Sequence, residues 1–389
     1  MQHADFTKDA PGKLVPVERD ALAFVPDPAP ETLALDPSAL RLLTTAERAL
    51  GQHTGTLRAM GPQVNLHIIN RPLMRREAIA SSRIEGTVAT PEQLVLLEVE
   101  EASAPDHHVS DAQEVLNYML ALEHGFRRRS ELPVSSRLMT ELHATLMRGV
   151  RGDDERPGEI RIVQNFIGST LDIRDARFVP PPVSALDACM RDLERYIHAD
   201  DEAERLPHLV RLALVHYQFE TIHPFRDGNG RVGRLLLPLI LCEYDRLEQP
   251  SLYVSPYLER HRAAYTDLLL RVSQKGDFLA WVRFFLEAVA ESARATIARA
   301  EALLALRREY HGRLSTARSS SLLLKLVDAL FERPSLSIGA ASKLLDVTPA
   351  AASANLQKLV EAKILIEVTG RKRDQRYVAR EILLAAHAE

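Results

Sequence analysis

Between residues 221 and 234 the chain reads TIHPFRDGNGRVGR: a histidine, an acid, an asparagine, three arginines and four residues that are glycine or proline, set between two apolar runs. Two chemistries compete for this mixture. Gly228, Gly230 and Gly233 fit the G-x-G-x-x-G spacing that aims main-chain N–H groups at a dinucleotide phosphate. That loop must follow a strand, yet the preceding LVRLALVHYQFETI places Leu209, Leu212, Ala213, His216, Phe219 and Ile222 at the three-to-four spacing of a helix. The Lys-Ser/Thr ending of a P-loop is missing as well. Read as a loop and helix start between two helices, the N–H groups of Gly228, Asn229 and Gly230 face outward at the positive end of a helix dipole, a ready anion site. Arg231 and Arg234 lie three apart and project from one helix face towards the same anion, an arrangement that suits an extended polyphosphate. Asp227 beside the cradle is placed to hold Mg2+, which takes a carboxylate together with phosphate oxygens and waters. His223 at the entrance, with a side chain that titrates near neutral pH, can take a proton from an incoming hydroxyl. A base, a metal ligand, a phosphate nest and two arginines together point to nucleotidyl or phosphoryl transfer.

The elements that carry this stretch read as a mainly α-helical body. The first thirty or so residues are proline-rich and weakly patterned, which predicts an extended arm. Helical periodicity begins near Pro37, and RPLMRREAIASSRIEG reads as a helix closed by Gly86 in a C-cap position. The polar break ASAPDHHVSD holds Asp106, His107, His108 and Asp111, metal-ligand types whose adjacency favours a solvated loop with Ser110 as the next N-cap. DAQEVLNYMLALEHGF and SSRLMTELHATLMRG are amphipathic. Between Pro157 and Pro182 the period changes to short β-branched and aromatic runs, which predicts a β-hairpin. Helices then resume to about residue 318, with Pro238 expected to kink the one that follows the motif. From Ser319 three helical runs, with Thr348 as an N-cap and Pro349 at the first helical position, precede two short strands, ILIEVT and QRYVA, joined by the basic tip GRKRD. That order looks like a winged helix-turn-helix. The predicted division is 1–105, 106–318 and 319–389.

At 389 residues with 46% apolar content the chain has ample material for two or three cores. A net charge of -4 gives no overall attraction to nucleic acid or anionic lipid, so such a partner needs a local patch. The start has no apolar signal region and the apolar run LLLPLILC is too short to span a bilayer, so a cytoplasmic protein with no membrane partner is expected. Cys189 and Cys242 read as buried free thiols.

The string His223-Pro224-Phe225-Arg226-Asp227-Gly228-Asn229-Gly230-Arg231, with Arg234 beyond it, resembles the Fic motif HPFx[D/E]GN[G/K]R without a departure. The resemblance implies a helical Fic core with a short β-hairpin flap and transfer of AMP from ATP to a Ser, Thr or Tyr hydroxyl of a protein. Carried over residue by residue, it makes His223 the general base, Phe225 a core anchor, Asp227 the metal ligand, Asn229 the α-phosphate contact, and Arg231 and Arg234 ligands of the β- and γ-phosphates. SSRIEG is similar to the family's inhibitory pattern [S/T]-x-x-x-E-[G/N], with Ser81, Glu85 and Gly86 in register, which implies autoinhibition by a Glu85–Arg234 pair. The 157–182 hairpin corresponds to the flap that seats a target by strand addition, with Ile167 and Gly168 as its named residues. The resemblance also implies dimers. Two alternatives stay open: the same fold using another nucleotide or removing AMP, and a DNA-binding regulator with a nucleotide-sensing core. In the second, Arg371, Lys372, Arg373 and Arg376 would form a phosphate-contacting wing, and Ser353, Asn355, Gln357 and Lys358 would read bases. A protein-docking or dimer role for the tail competes with that reading.

Overall fold

The proline-rich first thirty residues do not remain an open arm. β1 (Gly12–Pro16) and β2 (Leu22–Pro26) pair antiparallel from Gly12↔Pro26 to Pro16↔Leu22. Ala23 and Phe24 are fully buried, and Phe24 stacks on Phe6 at 5.5 Å between ring centroids. The prolines sit at the strand ends, where a missing N–H is tolerated, so the segment builds a hairpin despite them.

The protein is described from a computed structural model, over residues 1–61, 66–100, 111–151, 156–168, 170, 172–199, 206–314, 321–371 and 373–387. After the hairpin come α1 (Pro37–Met60), α2 (His67–Ile84), α3 (Pro91–Glu100), α4 (Asp111–Arg128), α5 (Ser136–Leu146), α6 (Val183–Ile197), α7 (His208–Ile222) and α8 (Asn229–Glu243). They are followed by α9 (Ser255–Arg260), α10 (Arg262–Lys275), the long α11 (Phe278–Leu314), α12 (Ser321–Glu332), β3 (Ser335–Ser337), α13 (Ile338–Leu345), α14 (Pro349–Glu361), β4 (Ile366–Glu367), β5 (Arg376–Val378) and α15 (Arg380–His387). Side chains close helix starts at Thr348, as expected, and at Ser135, which the sequence pattern did not single out. Ser135 accepts from Leu138 N–H and Thr348 from Ala351 N–H. α8 runs through Pro238 as one helix. The break at 101–110, with Asp106, His107, His108 and Ser110, lies outside the described residues.

Packing divides the chain into two compact units that interleave in sequence: Met1–Thr54 with Asn117–Ala293, and Gly55–Leu116 with Arg294–Glu389. The division 1–105, 106–318 and 319–389 rests on residue pattern, a different criterion, and stands as a proposal. In the first unit α7 is buried almost all round, as its even apolar content requires. It lies against α6, α8, α10 and β2, and Trp281 Nε1 donates to its Ala213 carbonyl at 2.8 Å.

In the second unit one apolar cluster joins the tail to earlier helices. Ile68 of α2 and Leu303 and Tyr310 of α11 pack with Leu326, Phe331, Leu356 and Tyr377. α2 rests on α12 and α15. Arg75 on α2 pairs through Nη2 with Glu98 at 2.7 Å and also donates to the Glu332 carbonyl. The tail sheet is antiparallel in the order β3-β5-β4. β3 is three residues long and gives no sequence signal. Cys189 and Cys242 are buried free thiols, as expected. Among the described residues no helix is long and apolar enough to cross a membrane.

Candidate active site

α7 stops at Ile222 because His223 turns into the left-handed conformation, φ 51° and ψ 60°. Its N–H still donates to Phe219 O at 3.0 Å. His223 Nδ1 lies 3.2 Å from Glu220 O. A carbonyl only accepts, so Nδ1 carries the proton and Nε2 is the basic nitrogen. The half-buried imidazole thus holds the tautomer a base requires.

The loop after it is pinned from both sides. Phe225 is fully buried and stacks face to face on the His143 ring, 4.0 Å between centroids with 5° between planes. Asn229 closes the loop: Phe225 N–H donates to its Oδ1 and its Nδ2 donates to Phe225 O, both at 2.8 Å. The side chain assigned by resemblance to the α-phosphate thus also ties the loop together, its Nδ2 carrying a second hydrogen beyond this bond, and Asn229 adds a main-chain N–H at the start of α8. Gly228 is left-handed at φ 74°, and a Cβ there would meet Met147 Sδ at 2.9 Å.

α8 carries both arginines inward. Arg231 is 3% exposed and Arg234 1%. Gly233 between them lets α7 and α8 approach, since a Cβ would fall 2.4 Å from a Glu220 carboxylate oxygen and 3.0 Å from the Phe219 ring. Fully buried His216 on α7 is pushed down to about 3 by burial and by the Arg234 charge.

Asp227 is the exposed acid of the loop. Its Oδ1 accepts from Gly228 N–H at 2.6 Å, and Oδ2 is 3.8 Å from Arg231. Among the described residues no three His, Cys, Asp or Glu groups cluster as a metal cage. One exposed carboxylate at a helix N-terminus fits instead an ion that takes most of its ligands from phosphate and water, as Mg2+ does.

Three residues not singled out by sequence hold this loop. His143 on α5 is 2% exposed. It accepts Gly158 N–H at Nδ1, 2.8 Å, so its Nε2–H donates to Asp227 O at 3.1 Å. Burial pushes its pKa down to about 4, so it stays neutral. Its signal was a histidine within the apolar stripe Leu138, Met139, Leu142 and Leu146. Arg161 donates from Nε to His223 O at 2.9 Å, and Asn165 Nδ2 donates to Phe225 O at 3.0 Å. Neither residue carries a local pattern.

The hairpin expected between Pro157 and Pro182 is reduced to one antiparallel bridge, Ile167↔Phe178, with N–H···O distances of 2.8 and 3.1 Å. Gly168 directly follows it. Among the other described residues of the segment Ile173–Asp175 form a 3-10 turn, and side chains serve part of the main chain, Arg161 donating to Pro181 O and Gln164 to Pro180 O.

Ser81, Glu85 and Gly86 belong to the second unit. Ser81 is fully buried and Glu85 is exposed. Gly86 takes φ 93° and donates to Arg83 O at 3.0 Å, while Thr87 Oγ1 donates to buried Glu114 at 2.7 Å. In the tail Arg371 and Arg373 are exposed, Arg376 is half-buried on β5, and Lys372 lies outside the described residues. Gln357 and Lys358 are exposed and Ser353 is half-buried. Asn355 is buried and donates back to Ala351 O at 2.9 Å, so the structure removes it from the base-reading face.

Residues 133–241 match the model of the Fic/DOC family, and residues 40–127 match the model of the Fic/DOC family N-terminal region. The chain is 33% identical over 147 residues to Protein adenylyltransferase Fic of Culex quinquefasciatus, covering 38% of this chain and 26% of that one. It is 28% identical over 204 residues to the Drosophila ananassae protein of the same name, covering 52% and 37%. The chain thus spans well under half the length of these curated relatives. Its fold is similar to that of a Fic family protein from Desulfovibrio desulfuricans G20, with a TM-score of 0.56 at 23% identity over 89% of this chain and 97% of that one. Fic-1 from C. elegans gives a TM-score of 0.50 at 21% identity, over 69% and 73%. With the motif loop, the helical core and both family models in agreement, the chain belongs to the Fic/DOC family.

Proposed function

We propose that this protein is an adenylyltransferase that moves AMP from ATP to a hydroxyl of a protein, itself included among candidate targets. The observation that carries the reading is His223, with Nε2 as its basic nitrogen, beside a helix N-terminus that has two buried arginines three residues apart. In this reading ATP lies along the start of α8, with its phosphates on the N–H groups of Gly228, Asn229 and Gly230. Arg231 and Arg234 take the β- and γ-phosphates. Asp227 would hold Mg2+, which supplies charge neutralisation to the polyphosphate when bound. His223 Nε2 takes the proton of the incoming Ser, Thr or Tyr hydroxyl, that oxygen attacks the α-phosphorus in line, and pyrophosphate leaves. The fixed N–H dipoles meet the developing negative charge without rearrangement. The names of the curated relatives support ATP and a protein target.

The activity is restrained in this reading by Glu85 pairing with Arg234, because an arginine bound to a carboxylate cannot also hold the γ-phosphate. ATP then enters with its α-phosphate turned away from in-line attack. The test is intact mass after incubation of the full chain and its Glu85→Gly variant with ATP and Mg2+. A gain of one AMP is expected in the variant, and none once His223→Ala is added. No AMP on the variant or on added protein targets would sink the transferase reading.

A further inference from the structure

The segment 161–181 leaves the motif loop and returns to it, and one side chain grips both of its ends. Arg161 is 4% exposed. Its Nε donates to His223 O at 2.9 Å, its Nη1 to Val163 O at 3.3 Å and its Nη2 to Pro181 O, while its main-chain N–H donates to Pro224 O at 2.9 Å. Neighbouring side chains repeat the pattern: Gln164 Nε2 donates to Pro180 O and Asn165 Nδ2 to Phe225 O, each at 3.0 Å. Burial lowers the Arg161 pKa to about 10, which still leaves a cation at neutral pH.

The partners of this guanidinium are main-chain carbonyls, three of them in different directions. A planar fork with donors fixed in space can serve all three, whereas a lysine ammonium on a flexible stem cannot do so without losing geometry. Near Arg161 the segment has little apolar packing, since Ile162 is 62% and Val163 41% exposed, whereas Ile173, Ala176 and Val179 further along are buried in an apolar cluster. His223, for its part, occupies a left-handed conformation that a non-glycine residue seldom adopts unless surrounding contacts enforce it.

We propose that Arg161 is a positioning residue: it fixes the main chain of His223 through the carbonyl and binds it to both ends of the 161–181 segment. The imidazole and the Ile167–Phe178 bridge then keep a set separation, so whatever seats on the bridge is held at a fixed place relative to the base. The catalytic consequence rests on the transferase reading. The mechanical claim stands without it.

Hydrogen exchange on the full chain tests the mechanical claim, using Arg161→Met, Arg161→Lys and the milder Asn165→Ala. Arg161→Met should speed exchange in 161–167 and 223–228 together by roughly tenfold or more, the population change for one lost charge-assisted hydrogen bond. Residues 209–219 of α7 should exchange as before, and Arg161→Lys should fall between. In the Glu85→Gly background Arg161→Met should slow AMP transfer about tenfold to a hundredfold, with ATP Kd within about threefold because the phosphate ligands sit on α8. Wild-type exchange at 223–228 overturns the proposal, as does undiminished transfer from a loosened loop. If Arg161→Met does not fold, Arg161→Lys and Asn165→Ala must still loosen 223–228, and failure to do so overturns it. A Glu85→Gly parent with no transfer at all fails the transferase reading instead, and exchange still decides the role of Arg161.

Discussion

Replacing His143 with phenylalanine isolates the polar half of its work. The ring at 143 is stacked on Phe225 and lies flat against it, and a phenyl group keeps that face and most of the volume. What goes are two hydrogen bonds, from Gly158 N–H into Nδ1 at 2.8 Å and from Nε2–H to Asp227 O at 3.1 Å. A buried main-chain group left without a partner costs about 1–3 kcal/mol. Both groups here are partly buried, which places the sum at about 2–4 kcal/mol. At roughly 2–4 °C per kcal/mol for a unit of this size, the melting temperature should fall by about 4–16 °C. His143→Ala should lose more, because it also opens a cavity under Phe225. His143→Gln, which keeps a donor near the Nε2 position, should lie above His143→Ala in AMP transfer. Urea denaturation and initial transfer rates on the same samples check both halves. If His143→Phe melts within a degree of wild type and transfers at the parent rate, the two contacts do not hold the loop.

Three further expectations follow from other contacts. Glu85→Gly should raise AMP transfer by about tenfold to a hundredfold, since a charge-assisted contact contributes about 1.5–3 kcal/mol and each ~1.4 kcal/mol is a factor of ten; an unchanged initial rate in a well-folded variant rejects the restraint. Arg75→Met leaves Glu98, 9% exposed at its side chain, without its 2.7 Å partner and should destabilise by about 3–5 kcal/mol, with Arg75→Met/Glu98→Leu recovering most of the loss in a thermal melt. His53 is pushed down to about 4 by burial, and His216 to about 3 by burial and the Arg234 charge. Both favour the neutral form when folded, so their stabilisation is complete above the ordinary histidine range near 6.5 and falls as pH drops from there towards 4, by at most about 1.4 kcal/mol per pH unit for each group. Urea midpoints at pH 7.5, 5.5 and 4.5 should fall in that order, and His53→Phe should flatten the trend.

What was legible in the sequence was what is local. Residues 223–234 are contiguous, so a chemistry for them could be proposed from spacing, and the helices follow from apolar periods that no long-range contact has to supply. The supports of the loop are not local. Arg161 reaches across 62 positions to His223 and His143 across 84 to Asp227; only the place of His143 in an apolar stripe hinted at its burial. Asn229 shows a subtler limit. Its type suits a phosphate, but an amide beside a tight loop also suits the two main-chain groups of Phe225, and it bonds both of them. The packing of the tail is likewise not local: Ile68, Leu303 and Tyr310 join its core from earlier in the chain.

The glycine spacing carries the same lesson into the site itself. G-x-G-x-x-G in a dinucleotide fold needs a tight turn after a strand, close approach to pyrophosphate, and room for a helix against that strand. In this chain the element before the turn is α7, and the first and third glycines have other causes. Gly228 supplies a left-handed residue pressed against Met147, and Gly233 lets α8 lie on Phe219 and Glu220 of α7. Both folds nonetheless bring main-chain N–H groups to the first turn of a helix. That shared outcome is why the spacing alone could not separate them, and why the helical period of residues 209–222 could: a helix entering the turn leaves Glu220 and His223 one turn apart, which puts the Nδ1 proton on a carbonyl and leaves Nε2 as the basic nitrogen.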